Sequence, residues 1–251
     1  MSVHQSHAKK NGPAASAHEE ACARVAARFG ERWLRMYARR KLRSDPIFPA
    51  AFELLRESSE PLLDVGCGVG LLAFYLRERN FLPPISGLDR DRRKIDRANA
   101  VKRGVYDDLD FIEQDVCDPI AQTGNIVLFD LLHYLDPNEQ ARLLSRLAAR
   151  VGPGGLLVIR DCPRDGNARF WLTHLAERFA QTTTWNMRAS LHFPTREKIF
   201  AAFDQERFSH TVVPLWGRTP FNNHLFIFRR RAAGAVPVEA GCNDTSNSLG
   251  R

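Results

Sequence analysis

The sequence has 251 residues, 44% of them hydrophobic, which is enough for one domain with a sizeable core. It has no apolar run near the ~20 residues of a bilayer-spanning helix, and its first twenty residues lack the apolar segment of a secretory signal. Five cysteines are scattered without a CxxC pair, which argues against a disulfide framework or a zinc site. We therefore expect a reduced, cytoplasmic setting without integral membrane association.

The net charge of +7 is concentrated near the N-terminus. Residues 24–43 hold eight Lys and Arg residues against one Glu, so the rest of the chain is close to neutral. Arg24, Arg28, Arg32 and Arg35 recur at helical spacing, which predicts one N-terminal helix with a basic face. Such a face is either simply solvated or docks an anionic partner: a cofactor, a carrier protein, a membrane surface or RNA.

Five strand–helix units follow in the chain, between tails at 1–18 and 232–251 whose composition predicts disorder. Residues 19–58 form the predicted basic helical cap, and 59–231 form the main domain. Strands are predicted at 61–66, 85–89, 109–114, 125–130 and 155–160, each short and mostly apolar. Helices are predicted at 69–79, 91–103, 137–151, 167–181 and 195–203.

The chain closes with two strands, 209–216 and 223–230, joined by the turn-rich segment GRTPFN. Because no helix separates them, they should pair antiparallel. The pattern predicts a doubly wound, Rossmann-like α/β sheet of seven strands, mostly parallel, with an antiparallel C-terminal hairpin.

An aspartate stands at or near the end of each of the first five strands. These residues are Asp64, Asp89, Asp115, Asp130 and Asp161. Because the carboxyl ends of parallel strands meet at one edge of the sheet, five acids there predict a ligand-binding crevice.

Three glycines, Gly66, Gly68 and Gly70, lead from the first strand into the first helix of the main domain. Glycine at such a turn lets the backbone approach a ligand without Cβ contact. The third glycine of the dinucleotide fingerprint G-x-G-x-x-G would fall on Leu71, so a nicotinamide dinucleotide is disfavoured.

The segment LDVGCGVG at 63–70 resembles the first motif of class I S-adenosylmethionine-dependent methyltransferases. The resemblance covers residues 55–231. It implies that Asp64 and the three glycines surround the methionine and ribose of the cofactor. It also implies that Asp89 binds the ribose hydroxyls, that Asp115 and Val116 read the adenine, and that Asp130 belongs to the segment after the fourth strand.

Two histidines are candidates for a catalytic base, which a phenol or enol acceptor would require. His133 follows the fourth strand, and His192 lies in the insertion 162–208 between the fifth and sixth strands. Trp185, Phe193 and Trp216 flank turn residues and are predicted to form an apolar acceptor pocket. No metal is expected, because a catechol-type site would need Asn rather than Cys beside Asp161.

Tyr37 and Lys41 stand in the basic segment, which in related small-molecule methyltransferases caps the cofactor pocket. The segments KLRSDP, LHFPTRE and PLWGRTPFNNHLFIF are similar to methyltransferases of bacterial aryl-polyene pigment biosynthesis. That resemblance implies a phenolic aryl head group as acceptor, free or held by an acyl carrier protein that meets the basic helix.

Two alternatives stay open at this point. The first is an RNA-directed methyltransferase, which would share the fold. Against it, DLLHYL at 130–135 lacks the Asn/Asp-Pro-Pro-Tyr/Phe segment of base-directed enzymes. The near-neutral domain also offers no long surface that could follow a phosphate backbone, so DNA is not expected as a partner. A non-catalytic partner protein that binds S-adenosylmethionine is the second. It would bind the cofactor and lack a closable acceptor pocket.

Overall fold

A computed structural model describes residues 13–180, 190–217 and 219–232. Its strands form one sheet in the order β3-β2-β1-β4-β5-β7-β6. They are β1 (Leu62–Val65), β2 (Ile85–Asp89), β3 (Leu109–Glu113), β4 (Asn125–Phe129), β5 (Leu156–Asp161), β6 (Phe208–Pro214) and β7 (His224–Arg230).

Strands β1 to β5 pair in parallel, and β7 pairs antiparallel with both β5 and β6. The predicted seven-stranded sheet with its antiparallel hairpin is therefore confirmed. The reversal follows from the short link between β6 and β7, which cannot accommodate a crossover.

Helices cover both faces of the sheet. They are α1 (Pro13–Arg28), α2 (Arg32–Ser44), α3 (Ile47–Leu55), α4 (Leu71–Glu78), α5 (Arg92–Lys102), α6 (Pro137–Arg150), α7 (Ala168–Ala180) and α8 (Arg196–Phe200), with a 3₁₀ turn at Leu132–Tyr134. Local sequence explains where α6 begins: Asp136 is its N-cap, Pro137 is its first residue and Glu139 completes a capping box.

The core consists of two apolar clusters, one on each side of the sheet. Helices α1 to α4 bury Phe29, Phe74 and Tyr75 in the first cluster. Helix α6 and the region around α8 bury Leu147 and Phe203 in the second. Among the described ranges, no helix is both long and apolar enough to cross a bilayer.

The prediction of one N-terminal basic helix is wrong. The chain breaks between α1 and α2 at Gly30, and Nε of Arg35 donates to the Phe29 carbonyl across the break at 3.0 Å. Arg24 and Arg28 are therefore on a different helix from Arg32 and Arg35, and the four do not form one face.

The expected N-terminal disorder is also wrong over residues 13–18, since α1 begins at Pro13. His18 is held in place there, with Nδ1 2.9 Å from the Tyr75 hydroxyl. Residues 1–12 and 233–251 lie outside the described part of the chain, so the remaining tail predictions stand as predictions.

Candidate active site

A cavity of about 380 Å³ opens at the carboxyl ends of β1, β2, β4 and β5, beneath α2. Its size is that of a small-molecule site. Its lining includes Tyr37, Lys41, Asp64, Gly66, Gly68, Asp89, Asp115, Val116 and Asp130. The structure thus brings together nine of the ten residues that were predicted to bind a cofactor; the tenth, Gly70, is not in the described lining.

The three glycines have different structural roles, although all have positive φ. A Cβ on Gly66 would lie 2.4 Å from Leu131, and one on Gly70 would lie 2.7 Å from Phe111. A Cβ on Gly68 would meet no described atom within 4 Å, and Gly68 lines the cavity. A side chain at Gly66 or Gly70 would thus displace Leu131 or Phe111, whereas Gly68 leaves room for a ligand.

Two carboxylates lie at the base of the glycine turn. Burial, with the nearby Asp89 carboxylate, raises the pKa of Asp64 to about 7. Oδ2 of Asp89 accepts the Gly68 N–H at 3.0 Å, and Oδ1 accepts the Asp91 N–H at 2.8 Å. The site is thus an acidic hollow, and a cationic ligand would stabilise its charged form.

Asp115 and Val116 line the side of the cavity that lies beyond β3. Oδ1 of Asp115 accepts the Cys117 N–H at 2.8 Å, and Oδ2 lies 3.8 Å from Nη1 of Arg90. Val116 is buried. The pair therefore offers a fixed carboxylate beside an apolar surface.

Arg160, near the end of β5, is buried between two carboxylates at the floor of the cavity. Its Nε donates to Asp130 at 2.8 Å, and its Nη1 donates to Asp45 at 2.5 Å. Burial alone would lower the pKa of this guanidinium, but the two carboxylates raise it. Asp130 adopts φ 53°, so the ion pair holds it in a backbone conformation that is uncommon outside glycine.

Lys41 completes this charged cluster. Its Nζ lies 2.8 Å from Asp45 and 4.0 Å from Asp130. Burial alone would lower the pKa of Lys41, but these carboxylates raise it on balance. Burial likewise raises the pKa of the Tyr37 hydroxyl, one turn earlier on α2.

A second cavity of about 220 Å³ adjoins the first and shares Lys41 and Asp130 with it. Its other lining residues are Ser44, Asp45, Pro46, His133, Cys162, Thr173, Thr219, Phe221 and Asn223. Burial raises the pKa of the Cys162 thiol to about 12, so it is not a ready nucleophile. The second cavity thus has both polar and apolar lining residues, and His133, a candidate base, is one of them.

His133 is buried in the 3₁₀ turn, with Nδ1 3.0 Å from Oδ1 of Asp161 at the end of β5. A carboxylate at this distance fixes the tautomer and orientation of the ring. Phe193 stacks on His133 at 5.1 Å between ring centroids, with the planes 13° apart. Phe193 therefore positions the histidine and is not among the described residues that line either cavity.

His192 contributes through its main chain. Its N–H donates to the His133 carbonyl at 2.8 Å, and its own carbonyl accepts Nε2 of Gln140 at 2.5 Å. The linings described for the two cavities do not include His192. This placement favours His133 over His192 as the base.

The predicted aromatic pocket is not assembled as expected. Trp216 is absent from both described linings, and the Arg169 guanidinium lies over its ring, 4.5 Å from the centroid. Trp185 lies outside the described residues. Arg160 was not among the predicted site residues, although an arginine within a strand buried on both faces indicates a buried carboxylate partner.

Comparison with known proteins gives a family match over most of the chain. The family model of the methyltransferase domain matches residues 34–243. The carboxy-S-adenosyl-L-methionine synthase of Aeromonas hydrophila subsp. hydrophila is 27% identical over 105 residues, covering 40% of this chain and 42% of the relative. The chain spans about half or less of the curated relatives it matches.

Solved structures share the fold at low identity. An O-methyltransferase family protein from Burkholderia thailandensis superposes with a TM-score of 0.61 and 19% identity, covering 82% of this chain and 63% of that one. The magnesium protoporphyrin IX methyltransferase of Synechocystis PCC 6803, with bound S-adenosylmethionine, gives a TM-score of 0.55 and 14% identity over 90% and 100% of the two chains.

Proposed function

The chain belongs to the methyltransferase-domain family, and we propose that it transfers a methyl group from S-adenosylmethionine to a hydroxyl of a small aromatic acceptor. S-adenosylmethionine is the cofactor of this class of enzyme. It supplies an electrophilic methyl group on a sulfonium. The observation that supports the proposal best is a His133–Asp161 pair at a cavity that adjoins the acidic cofactor cavity.

The larger cavity fits this cofactor in charge and shape. Asp64 would face its cationic part, and Gly68 leaves the space that the ligand needs. Each Asp89 carboxylate oxygen accepts one backbone N–H, from Gly68 or Asp91, and has a further lone pair for one of two adjacent ribose hydroxyls. Asp115 and Val116 would hold the adenine between a carboxylate and an apolar side chain.

His133 is proposed to act as general base on the acceptor. Asp161 accepts the Nδ1 proton of the ring, which makes Nε2 the basic nitrogen. That nitrogen would take the hydroxyl proton while the acceptor oxygen bonds to the methyl carbon, and the methyl–sulfur bond would break at the same time, with S-adenosylhomocysteine as the leaving group. The Asp161 carboxylate then stabilises the imidazolium, and the packing of Phe193 keeps the ring in place.

A small aromatic alcohol is the acceptor class we propose. Phe221 gives the second cavity an apolar surface, and Ser44, Thr173 and Asn223 give it hydrogen-bonding groups. The resemblance to O-methyltransferase structures supports oxygen over carbon as the nucleophile. In its narrower form, the proposal names an aryl-polyene head group as the acceptor, either free or on an acyl carrier protein. It also places the protein in the cytoplasm.

Calorimetric titration with S-adenosylhomocysteine tests the cofactor site first. The native protein should bind it with micromolar affinity and ignore NADH. Asp89→Ala should weaken binding at least tenfold, whereas Asp110→Ala, an exposed acid on β3, should not change it. Preference for NADH, or equal binding by both variants, would contradict the proposal.

A panel of phenols, catechols and short RNAs tests the acceptor class, with methyl transfer followed from labelled S-adenosylmethionine. Turnover of a phenol that His133→Ala abolishes, with S-adenosylhomocysteine binding retained, is the expected result. Transfer to RNA alone would favour the RNA-directed alternative. Tight cofactor binding without transfer to any acceptor would favour the non-catalytic alternative.

A further inference from the structure

Helix α2 exposes large apolar side chains and arginines on the same side. Leu34, Ala38 and Leu42 are buried on its inner side. Its outer side carries Trp33 and Met36, whose side chains are 45% and 65% exposed. Arg32, Arg39 and Arg40 share that side. We define these five residues, Arg32, Trp33, Met36, Arg39 and Arg40, as the α2 outer face.

The charge of this face is not neutralised within the described part of the protein. Two neighbouring arginines form ion pairs within the protein: Arg24 pairs with Glu78, and Arg43 pairs with Glu19 at 2.8 Å. Arg32, Arg39 and Arg40 have no acidic partner among the described residues, and α2 itself contains no Asp or Glu. The face therefore combines a single sign of charge with exposed apolar side chains.

Helix α7 borders the second cavity, as α2 does, and it also exposes large apolar side chains. Thr173 of α7 is buried and lines the second cavity, as does Lys41 of α2. On its outer side α7 exposes Trp171, Leu172 and Leu175, at 61%, 45% and 66%. Two helices that border the second cavity thus both expose several large apolar residues, and grouped apolar residues of this kind are typical of binding surfaces.

From these observations we propose that the α2 outer face docks on an anionic lipid bilayer, with α7 as the second contact. Trp33 and Met36 enter the interfacial region, while Arg32, Arg39 and Arg40 meet lipid phosphates. Helix α2 lies on the bilayer and does not cross it, in agreement with the lack of a membrane-spanning helix in the described ranges.

An acidic protein is the other partner that the charge would attract. Two features favour a bilayer instead. The apolar residues stand among the arginines on α2 and recur on α7, so the contact involves two separate elements. A broad surface with apolar depth matches both at once, whereas an acidic helix would match the arginines alone.

Docking has a consequence for the acceptor, which rests on the proposed function. Tyr37 and Lys41, which line the cavities, lie on the helix that would touch the bilayer. An amphiphilic aromatic alcohol could then pass from the lipid into the second cavity without crossing water.

Vesicle flotation with the full chain tests the docking. Phosphatidylcholine vesicles containing about 30% phosphatidylglycerol should carry the protein up at low salt, at least fivefold more than pure phosphatidylcholine, and release it at high salt. Arg39→Gln with Arg40→Gln should lower the floated fraction at least fivefold, as should Trp33→Ser with Met36→Ser. The charge-matched control, Arg103→Gln with Arg150→Gln, removes two exposed arginines elsewhere and should float like the native protein.

Each variant is first titrated with S-adenosylhomocysteine, so that a folding defect is recognised. Equal flotation of the α2 and control variants, or no flotation of the native protein, overturns the docking proposal even if the cofactor binds. Salt-sensitive capture by an immobilised acidic carrier protein, without vesicle binding, also overturns it and assigns the face to a protein. Flotation without cofactor binding would contradict the proposed function alone.

Discussion

Nη1 of Arg160 lies 2.5 Å from Oδ1 of Asp45, and this contact ties the loop between α2 and α3 to the end of β5. The Arg160 side chain is 3% exposed and that of Asp45 is 11% exposed, so water does little to screen the pair. Both charges are desolvated, and removing one partner leaves the other without full compensation. The pair therefore connects the N-terminal helices to the sheet where the two cavities meet.

We expect Asp45→Asn to lower the free energy of unfolding by roughly 3 kcal/mol, because it breaks a buried ion pair from one side. Burial alone would raise the pKa of Asp45, but Arg160 and Lys41 hold it below its ordinary value. The stabilisation is therefore complete above about pH 4 and is lost as the pH falls through the lowered pKa. Urea unfolding of the native protein and the variant from pH 7 to pH 2 should show the difference shrinking only at the acid end, and a constant difference would contradict this view.

Gly68→Ala and Gly104→Ala form a matched pair. Both glycines have positive φ, 59° and 70°, and a Cβ on either would meet no described atom within 4 Å. Each substitution should cost about 1 kcal/mol of stability through backbone strain. Only the Gly68 methyl group enters the larger cavity, so only Gly68→Ala should weaken S-adenosylhomocysteine binding, by at least tenfold in calorimetry. Equal loss of binding in both variants would place the ligand elsewhere.

Asp64 should make the cofactor-free protein less stable as the pH rises. Burial and Asp89 raise its pKa to about 7, whereas in the unfolded chain it ionises near pH 4. Between these values the unfolded state releases a proton that the folded state keeps, so stability falls and then levels off above pH 7. Relative to Asp64→Asn, the native protein should lose up to about 4 kcal/mol across that window. Thermal unfolding curves with parallel pH dependence in the two proteins would refute the prediction.

Asp161→Asn should impair transfer without preventing cofactor binding. An amide can donate to Nδ1 of His133 and so favours the wrong tautomer. We expect turnover with the acceptor found in the screen to fall at least a hundredfold, with S-adenosylhomocysteine affinity within twofold of native. His192→Ala, which keeps the main-chain bond to His133, is the control and should retain most of its turnover. A larger loss in His192→Ala would move the base to that residue.

Sequence periodicity was enough for the sheet, because parallel strands buried on both faces are continuous apolar runs bounded by turns. Each observed strand lies within two residues of its predicted limits. The residues that line the larger cavity could be predicted equally well, since Asp64, Asp89 and Asp130 are placed by strand ends that must share one edge.

The features that sequence reasoning missed depend on contacts between distant segments. Arg160 bonds to partners 30 and 115 residues away, and the sequence of its strand does not reveal which carboxylates these are. The helix break at Gly30 was hidden because the arginine spacing continues across it. Two histidines were chemically equivalent candidates, and only the packing of the turn after β4 brings His133 to a cavity.

Because Lys41 and Asp130 border both cavities, the proposed function predicts that a substitution at either one changes donor and acceptor binding together. Thr173, Thr219, Phe221 and Asn223 border the second cavity alone. If the second cavity holds the acceptor as proposed, acceptor preference would diverge within this fold, by natural selection or by library screening, through changes at these four positions while the larger cavity stays intact.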